Sequence, residues 1–156
     1  MKKKKVKEIG ITALYERLSR DDDGDGDSNS IVHQKQMLET YAKEHGFINL
    51  RHYTDDGWSG ASFDRPASIK LFGLDMFNTT AECIVDSLMK KDNVICNEKD
   101  LQLGTEYIFP QIGVRLWRER AFHPKLLKDP LYMEEMQAVL EDEYQYQYFQ
   151  MVTIID

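Results

Sequence analysis

Only two cysteines, four prolines and four histidines occur among 156 residues, and each scarcity closes off a class of protein. Cys83 and Cys96 lack the paired spacing of a zinc ribbon or redox motif, so two buried free thiols are expected rather than a disulfide. His33, His45, His52 and His123 fall at no metal-ligand spacing, and neither a metal nor a cofactor is expected. No apolar run approaches the length of a membrane span. The lysines at 2–5 are not followed by the apolar stretch of a signal peptide, so the expected location is cytoplasmic, with no membrane partner. No internal repeat is present.

Positive charge is also in short supply, with 20 Lys and Arg against 27 Asp and Glu and a net charge of −7. Residues 1–67 carry 11 basic and 12 acidic side chains, whereas residues 68–156 carry 9 and 15. Non-specific duplex binding depends on neutralising phosphates, so the chain is expected to bind DNA weakly on its own. The N-terminal lysines read as a solubilising terminus.

With 42% hydrophobic and 30% charged residues, the chain reads as one ordinary globular domain or two small units sharing a core. Residues 9–14 form a short β-rich run, followed by a polar loop over 21–29 in which Ser28 or Ser30 can cap a helix. Ile31, Met37, Leu38, Tyr41 and Ala42 share one helical face, Gly46 is placed as a stop, and 47–53 reads as a second strand. Strand, helix and strand joined by short connections predict a βαβ unit with parallel strands. Active groups in such sheets gather at the carboxyl ends of the strands.

The second part reads as a small α+β unit. Thr79 or Thr80 caps a predicted helix to about Lys91, with Ala81, Ile84, Val85 and Leu88 inward. Short strands are predicted at 93–96, 106–109 and 113–122. A last helix is predicted from Pro130 through Gln147, with Leu131, Met136, Val139, Leu140 and Tyr144 on its inner stripe. Arg115, Arg118 and Arg120, with Trp117 and His123, read as an edge strand bearing outward charges, a pattern that also suits nucleic acid or a carboxylate.

The chemistry gathers where the first strand ends. Alternation puts Tyr15, Arg17 and Ser19 on one face, so a hydroxyl nucleophile stands beside a guanidinium, which favours attack on an anionic centre and above all on phosphate. Spacing alone favours the plainer reading, in which Ser19 ends a strand and Arg17 pairs with an aspartate of the 21–27 run. That run sets Asp21, Asp23, Asp25 and Gly26 at the first, third, fifth and sixth places of a calcium loop. The twelfth place, however, holds Val32 instead of a bidentate Glu, so a solvated acidic loop is the better account.

Three blocks, Tyr15-x-Arg17-x-Ser19, Ser28-Asn29-Ser30-Ile31-Val32-His33-Gln34, and Asp55-Asp56-Gly57-Trp58-Ser59-Gly60 running into Phe63-Asp64-Arg65-Pro66, occur in that order. With this order and spacing, residues 11–67 resemble the start of the catalytic domain of the serine recombinases, the resolvase and invertase family, closest to the large transposon-encoded branch. The resemblance implies a resolvase-like α/β start, with residues 1–67 a partial catalytic domain and 68–156 an α+β region of unrecognised family. It implies Ser19 as the nucleophile that forms a phosphoserine link to DNA, with Arg17 and Arg65 gripping the phosphate. It also implies Tyr15, Gln34, Asp56 and Ser59 as substrate-contacting positions. On the residues alone a solvated helix residue at Gln34 remains equally open, and a turn that bonds its own backbone is the favoured account of at least one of Asp55 and Asp56.

Beyond Ala67 the family pattern calls for a Leu-(Asp/Ser)-Arg-Leu-x-Arg element with two further active-site arginines, then a long dimer helix, and neither is present in the sequence. Two functions are therefore expected. One is site-specific DNA recombination in a bacterial mobile element, truncated or impaired, acting as a homo-oligomer. The other is a non-catalytic protein that pairs with a full-length recombinase and regulates it. The resemblance itself favours the first, whereas the missing arginines, the lack of a DNA-binding domain and the negative charge favour the second.

Overall fold

The computed structural model describes residues 10–17, 27–55 and 69–155, with side chains for all of these except 27–30, 55 and 155. Strand β1 (Gly10–Arg17), helix α1 (Asp27–Glu44) and strand β2 (Leu50–Asp55) come first, and β1 and β2 pair in parallel from Thr12 with Leu50 to Arg17 with Asp55. The βαβ expectation is met, and the fold is mixed α/β. A two-residue hairpin, β3 (Lys70–Leu71) and β4 (Leu74–Asp75), leads to α2 (Ala81–Met89). Then come β5 (Ile95–Cys96), β6 (Glu106–Phe109), β7 (Val114–Trp117), α3 (Pro130–Met136), α4 (Leu140–Glu143) and β8 (Met151–Ile155).

Six strands form one sheet in the order β2-β1-β8-β7-β6-β5. Strand β8 lies between β1 and β7 and is antiparallel to both, so strands from before and after residue 67 share the sheet. Burial splits across its faces. Ala13, Tyr15, Tyr107, Phe109, Val114, Leu116 and Val152 pack under α2, whose Ala81, Ile84, Val85 and Leu88 all point inward as their spacing requires. Leu14, Trp117 and Met151 pack on the opposite face against Leu38 and Ala42 of α1. A central strand covered on both faces has no solvent side, and every residue of β1 from Thr12 to Glu16 is buried.

Several boundaries differ from the sequence reading. Helix α1 begins at Asp27, so Ser28 and Ser30 lie inside its first turn rather than at a cap. The helix stops as expected at Gly46, whose φ is 72°; Gly46 N–H donates to Lys43 and Phe47 N–H to Ala42, the paired bonds of a left-handed helix end. Phe47 is then spent in the core, and β2 begins only at Leu50.

The run 113–122 is a strand only over Val114–Trp117, and it is internal rather than an edge. The predicted last helix is broken after Met136, and three residues of its expected inner stripe are turned outward, Leu131 at 70% exposure, Val139 at 42% and Tyr144 at 41%, while Met136 and Leu140 are half-buried. The break lets Glu143 fold inward to Arg120 while the chain turns back to deliver β8 to the sheet. Cys83 is exposed and Cys96 half-buried, both as free thiols. The apolar stripe of α2 runs through positions 81, 84, 85 and 88, so position 83 faces out and the expectation of a buried thiol there fails.

Candidate active site

The parallel pairing puts the carboxyl ends of β1 and β2 side by side, with Arg17 opposite Asp55 as their last paired residues. Arg17 and Asp55 are the last described residues before the two candidate segments. Ser19, Asp56, Ser59 and Arg65 lie outside the described residues, as does most of the acidic run Asp21 to Asp27.

Arg17 is half-buried, and its backbone is held by one side chain of α1. Gln34 Oε1 accepts from Arg17 N–H at 3.0 Å, and Gln34 Nε2 donates to Arg17 C=O at 2.9 Å. A carboxamide is the one neutral side chain that completes both halves of a peptide in this way. Helix α1 thus extends the β1 ladder by one artificial partner, and Gln34 fixes the last residue of β1. Tyr15, two residues back, is only 5% exposed and stacks on Phe77 at 4.7 Å between ring centroids. Its ring lies against the core beneath this edge.

One group at the site has no counterpart among the predicted residues. Glu16 is fully buried, facing α1, and its carboxylate accepts from Thr54 Oγ1 at 3.0 Å while its other oxygen meets His52 Nδ1. His52 Nε2 lies 2.8 Å from Glu39 Oε1 of α1, and Glu39 Oε2 takes Lys43 at 3.0 Å. Hydrogen bonds from Lys43 and then His52 hold the Glu39 carboxyl below the usual range. The signal for this network is a glutamate in an apolar strand at the same parity as a histidine on the neighbouring strand. It passes unnoticed because alternation says only that Glu16 points away from the face of Tyr15 and Arg17.

The basic, aromatic residues of the second part form no open patch. Arg118 is 1% exposed and Trp117 5%. Arg115 pairs with Glu106 and lies 3.9 Å over the Phe47 ring. Arg120 pairs with Glu143 at 2.8 Å, and His123 with Glu82 at 3.0 Å. The backbone N–H of Lys125 occupies His123 Nδ1, so this histidine donates to Glu82 through Nε2 and has no nitrogen left to act as a base. Among the described residues no group of three His, Cys, Asp or Glu is arranged to hold a metal, and no helix is long and apolar enough to cross a membrane.

Residues 12–75 match the family model described as Resolvase, N terminal domain. The match supports the serine recombinase family and runs past Ala67 through the β3–β4 hairpin. No curated protein and no solved structure matches the chain.

Proposed function

We propose that the β1–α1–β2 unit is the phosphoryl-transfer half of a serine recombinase of the large transposon-type branch, acting in site-specific DNA recombination with reduced activity in this chain. The observation that carries the reading is the pair of hydrogen bonds between the Gln34 carboxamide and the Arg17 backbone at the shared carboxyl edge of a parallel strand pair. It fixes a guanidinium-bearing residue two positions before a serine, on the edge where α/β sheets gather reactive groups.

In this reading Ser19 Oγ attacks the phosphorus of a DNA phosphodiester. The Oγ–P bond forms, the P–O bond to one deoxyribose breaks, and that sugar leaves as a free hydroxyl with the proton the serine gives up. The phosphoserine link stores the bond for rejoining when a second hydroxyl attacks. Arg17 and Arg65 carry the charge on the phosphoryl oxygens, because a guanidinium stays charged and bonds phosphate in pairs. Asp56 and Ser59 border the substrate from the β2 side, and Tyr15 supports the edge from beneath.

Impairment follows from the donors. Each missing charge-stabilising donor at such a centre costs about a hundredfold or more in rate, and two arginines of the family pattern have no sequence counterpart. Arg115, Arg118 and Arg120 are committed to Glu106, to the interior and to Glu143. That commitment favours the second reading, a non-catalytic partner that pairs with a full-length recombinase and regulates it.

A nicked suicide substrate separates the two. Slow accumulation of a protein–DNA adduct that disappears in Ser19→Ala supports the impaired recombinase. No adduct from either protein rejects cleavage and leaves the regulator. Adduct formation at the pace of a complete recombinase rejects the impairment. Affinity for duplex DNA is expected to be weak and steeply reduced by salt, and tight binding at physiological salt overturns that part.

A further inference from the structure

The end of β1 is fastened more heavily than its packing requires. Arg17 is held through its backbone by Gln34, Tyr15 by the Phe77 ring, and Glu16 by a buried polar chain running from Thr54 through His52 to Glu39 and Lys43. A fully buried carboxylate is costly unless it is paired and hydrogen-bonded, and an apolar residue would fill the same space without that cost.

The proton count is the informative part. Ionised carboxylates offer only lone pairs, and a neutral imidazole carries one N–H. His52 faces Glu16 with one ring nitrogen and Glu39 with the other. A neutral ring therefore satisfies one contact and sets lone pair against lone pair at the other, whereas an imidazolium donates to both. The groups facing His52 are Glu16 from β1 and Glu39 from α1, with Lys43 behind Glu39 and the neutral Thr54 beside Glu16. The His52 side chain is 26% exposed, so its proton exchanges with solvent.

We propose that Glu16, His52 and Glu39 form a proton-operated clamp that positions Arg17 at the end of β1, closed while His52 carries both ring protons and loosened when it loses one. Calling the positioned residues the reactive ones rests on the recombinase reading; the clamp itself does not. Glu16 and His52 are positioning residues, since they act on phosphate only through the residues that follow Glu16. As pH rises and the second ring proton leaves, repulsion at one carboxylate frees the β1 edge.

The test uses the full chain without DNA, so its outcome is independent of whether Ser19 forms an adduct. Ring nitrogen and backbone amide NMR signals are followed from about pH 5 to 8.5, the span over which histidine changes charge. Expected are two protonated ring nitrogens at the acid end and an Arg17 amide that shifts along the same curve as the His52 ring. In Glu39→Gln the carboxamide can donate as well as accept, so a neutral ring is satisfied on both sides and the Arg17 shift with pH disappears. In His52→Gln it disappears too, and Arg17 amide exchange rises about tenfold, the opening expected from one lost charged hydrogen bond. Should His52→Gln fail to fold, Glu39→Gln alone decides, because it leaves the buried Glu16 pair untouched. An Arg17 amide that stays still while His52 titrates, a ring with one proton throughout, or an unchanged response in Glu39→Gln overturns the clamp.

Discussion

Replacing Arg118 with lysine tests whether a buried charge with only neutral partners holds the second half of the protein together. The guanidinium is 1% exposed. Its Nε donates to Gly104 C=O at 2.9 Å, Nη1 to Tyr146 C=O at 2.8 Å and Phe122 C=O at 3.4 Å, and Nη2 to Gln102 C=O at 3.0 Å and the Tyr107 hydroxyl at 3.4 Å. Three separate segments thus converge on one planar fork. Burial pulls the group below its ordinary pKa, and no carboxylate contributes to offset this. A lysine ammonium remains charged but is a point donor, able to serve one side of the fork only. At least two carbonyls lose their donors, and at about 1–3 kcal/mol for each stranded group the cost is about 2–6 kcal/mol. Against a typical total of about 5–15 kcal/mol that is a large fraction, and it corresponds to a fall of at least about 4 °C in Tm for a chain of this size. Urea denaturation followed by circular dichroism reads the difference directly. A loss below about 1 kcal/mol refutes the reasoning, since the carbonyls then find other donors and the fork is not what joins the segments.

Asp92 is buried and accepts from the backbone N–H groups of Asn93, Gln111 and Ile112, so Asp92→Ala should cost about 3 kcal/mol by urea denaturation, with Asp92→Asn recovering part of it through its remaining oxygen. Burial, reinforced by the neighbouring Glu119 carboxylate, pushes the Tyr146 hydroxyl up to about 12. The unfolded chain then releases this proton near pH 10 while the folded chain keeps it, so the stabilisation is complete below about pH 10 and is lost as pH rises toward 12. Stability curves for wild type and Tyr146→Phe should therefore converge over that window, and parallel curves defeat the assignment. Gln34→Ala removes both bonds to Arg17 and should cost about 1–2 kcal/mol, with the largest amide chemical-shift change at Arg17 rather than along α1.

The β1–α1–β2 unit was legible because its signals are local: an apolar run, a helical stripe ending at Gly46, and turn-rich blocks after each strand. Helix α2 and the strand Glu106–Phe109 were legible for the same reason. Strand β8 was not. Met151–Ile155 is too short to declare itself, and its place in the sheet is decided by pairing with residues far away in sequence. Leu131, Met136, Val139, Leu140 and Tyr144 repeat at helical spacing, yet α2 already covers the core and the helix breaks, so Leu131, Val139 and Tyr144 are exposed while Met136 and Leu140 are half-buried. At the site, Gln34 was legible as a residue of interest through resemblance, while its bond to Arg17 depends on how α1 docks. Glu16 was missed because alternation identifies a second face without saying that it too is covered.

The insertion of β8 beside β1 has a consequence for how the protein is made. The Thr12 and Thr153 hydroxyls sit 3.0 Å apart although 141 positions separate them. During synthesis β1 gains its parallel neighbour β2 early, while its other edge waits until the last strand leaves the ribosome. At about 5–20 residues per second the wait is on the order of ten seconds. Throughout it, a row of unpaired amide and carbonyl groups lies open on an apolar strand, a template that β8 of another copy fills as well as its own. The order of elements along the chain thus creates a window for exchange between nascent molecules, and slower translation widens it.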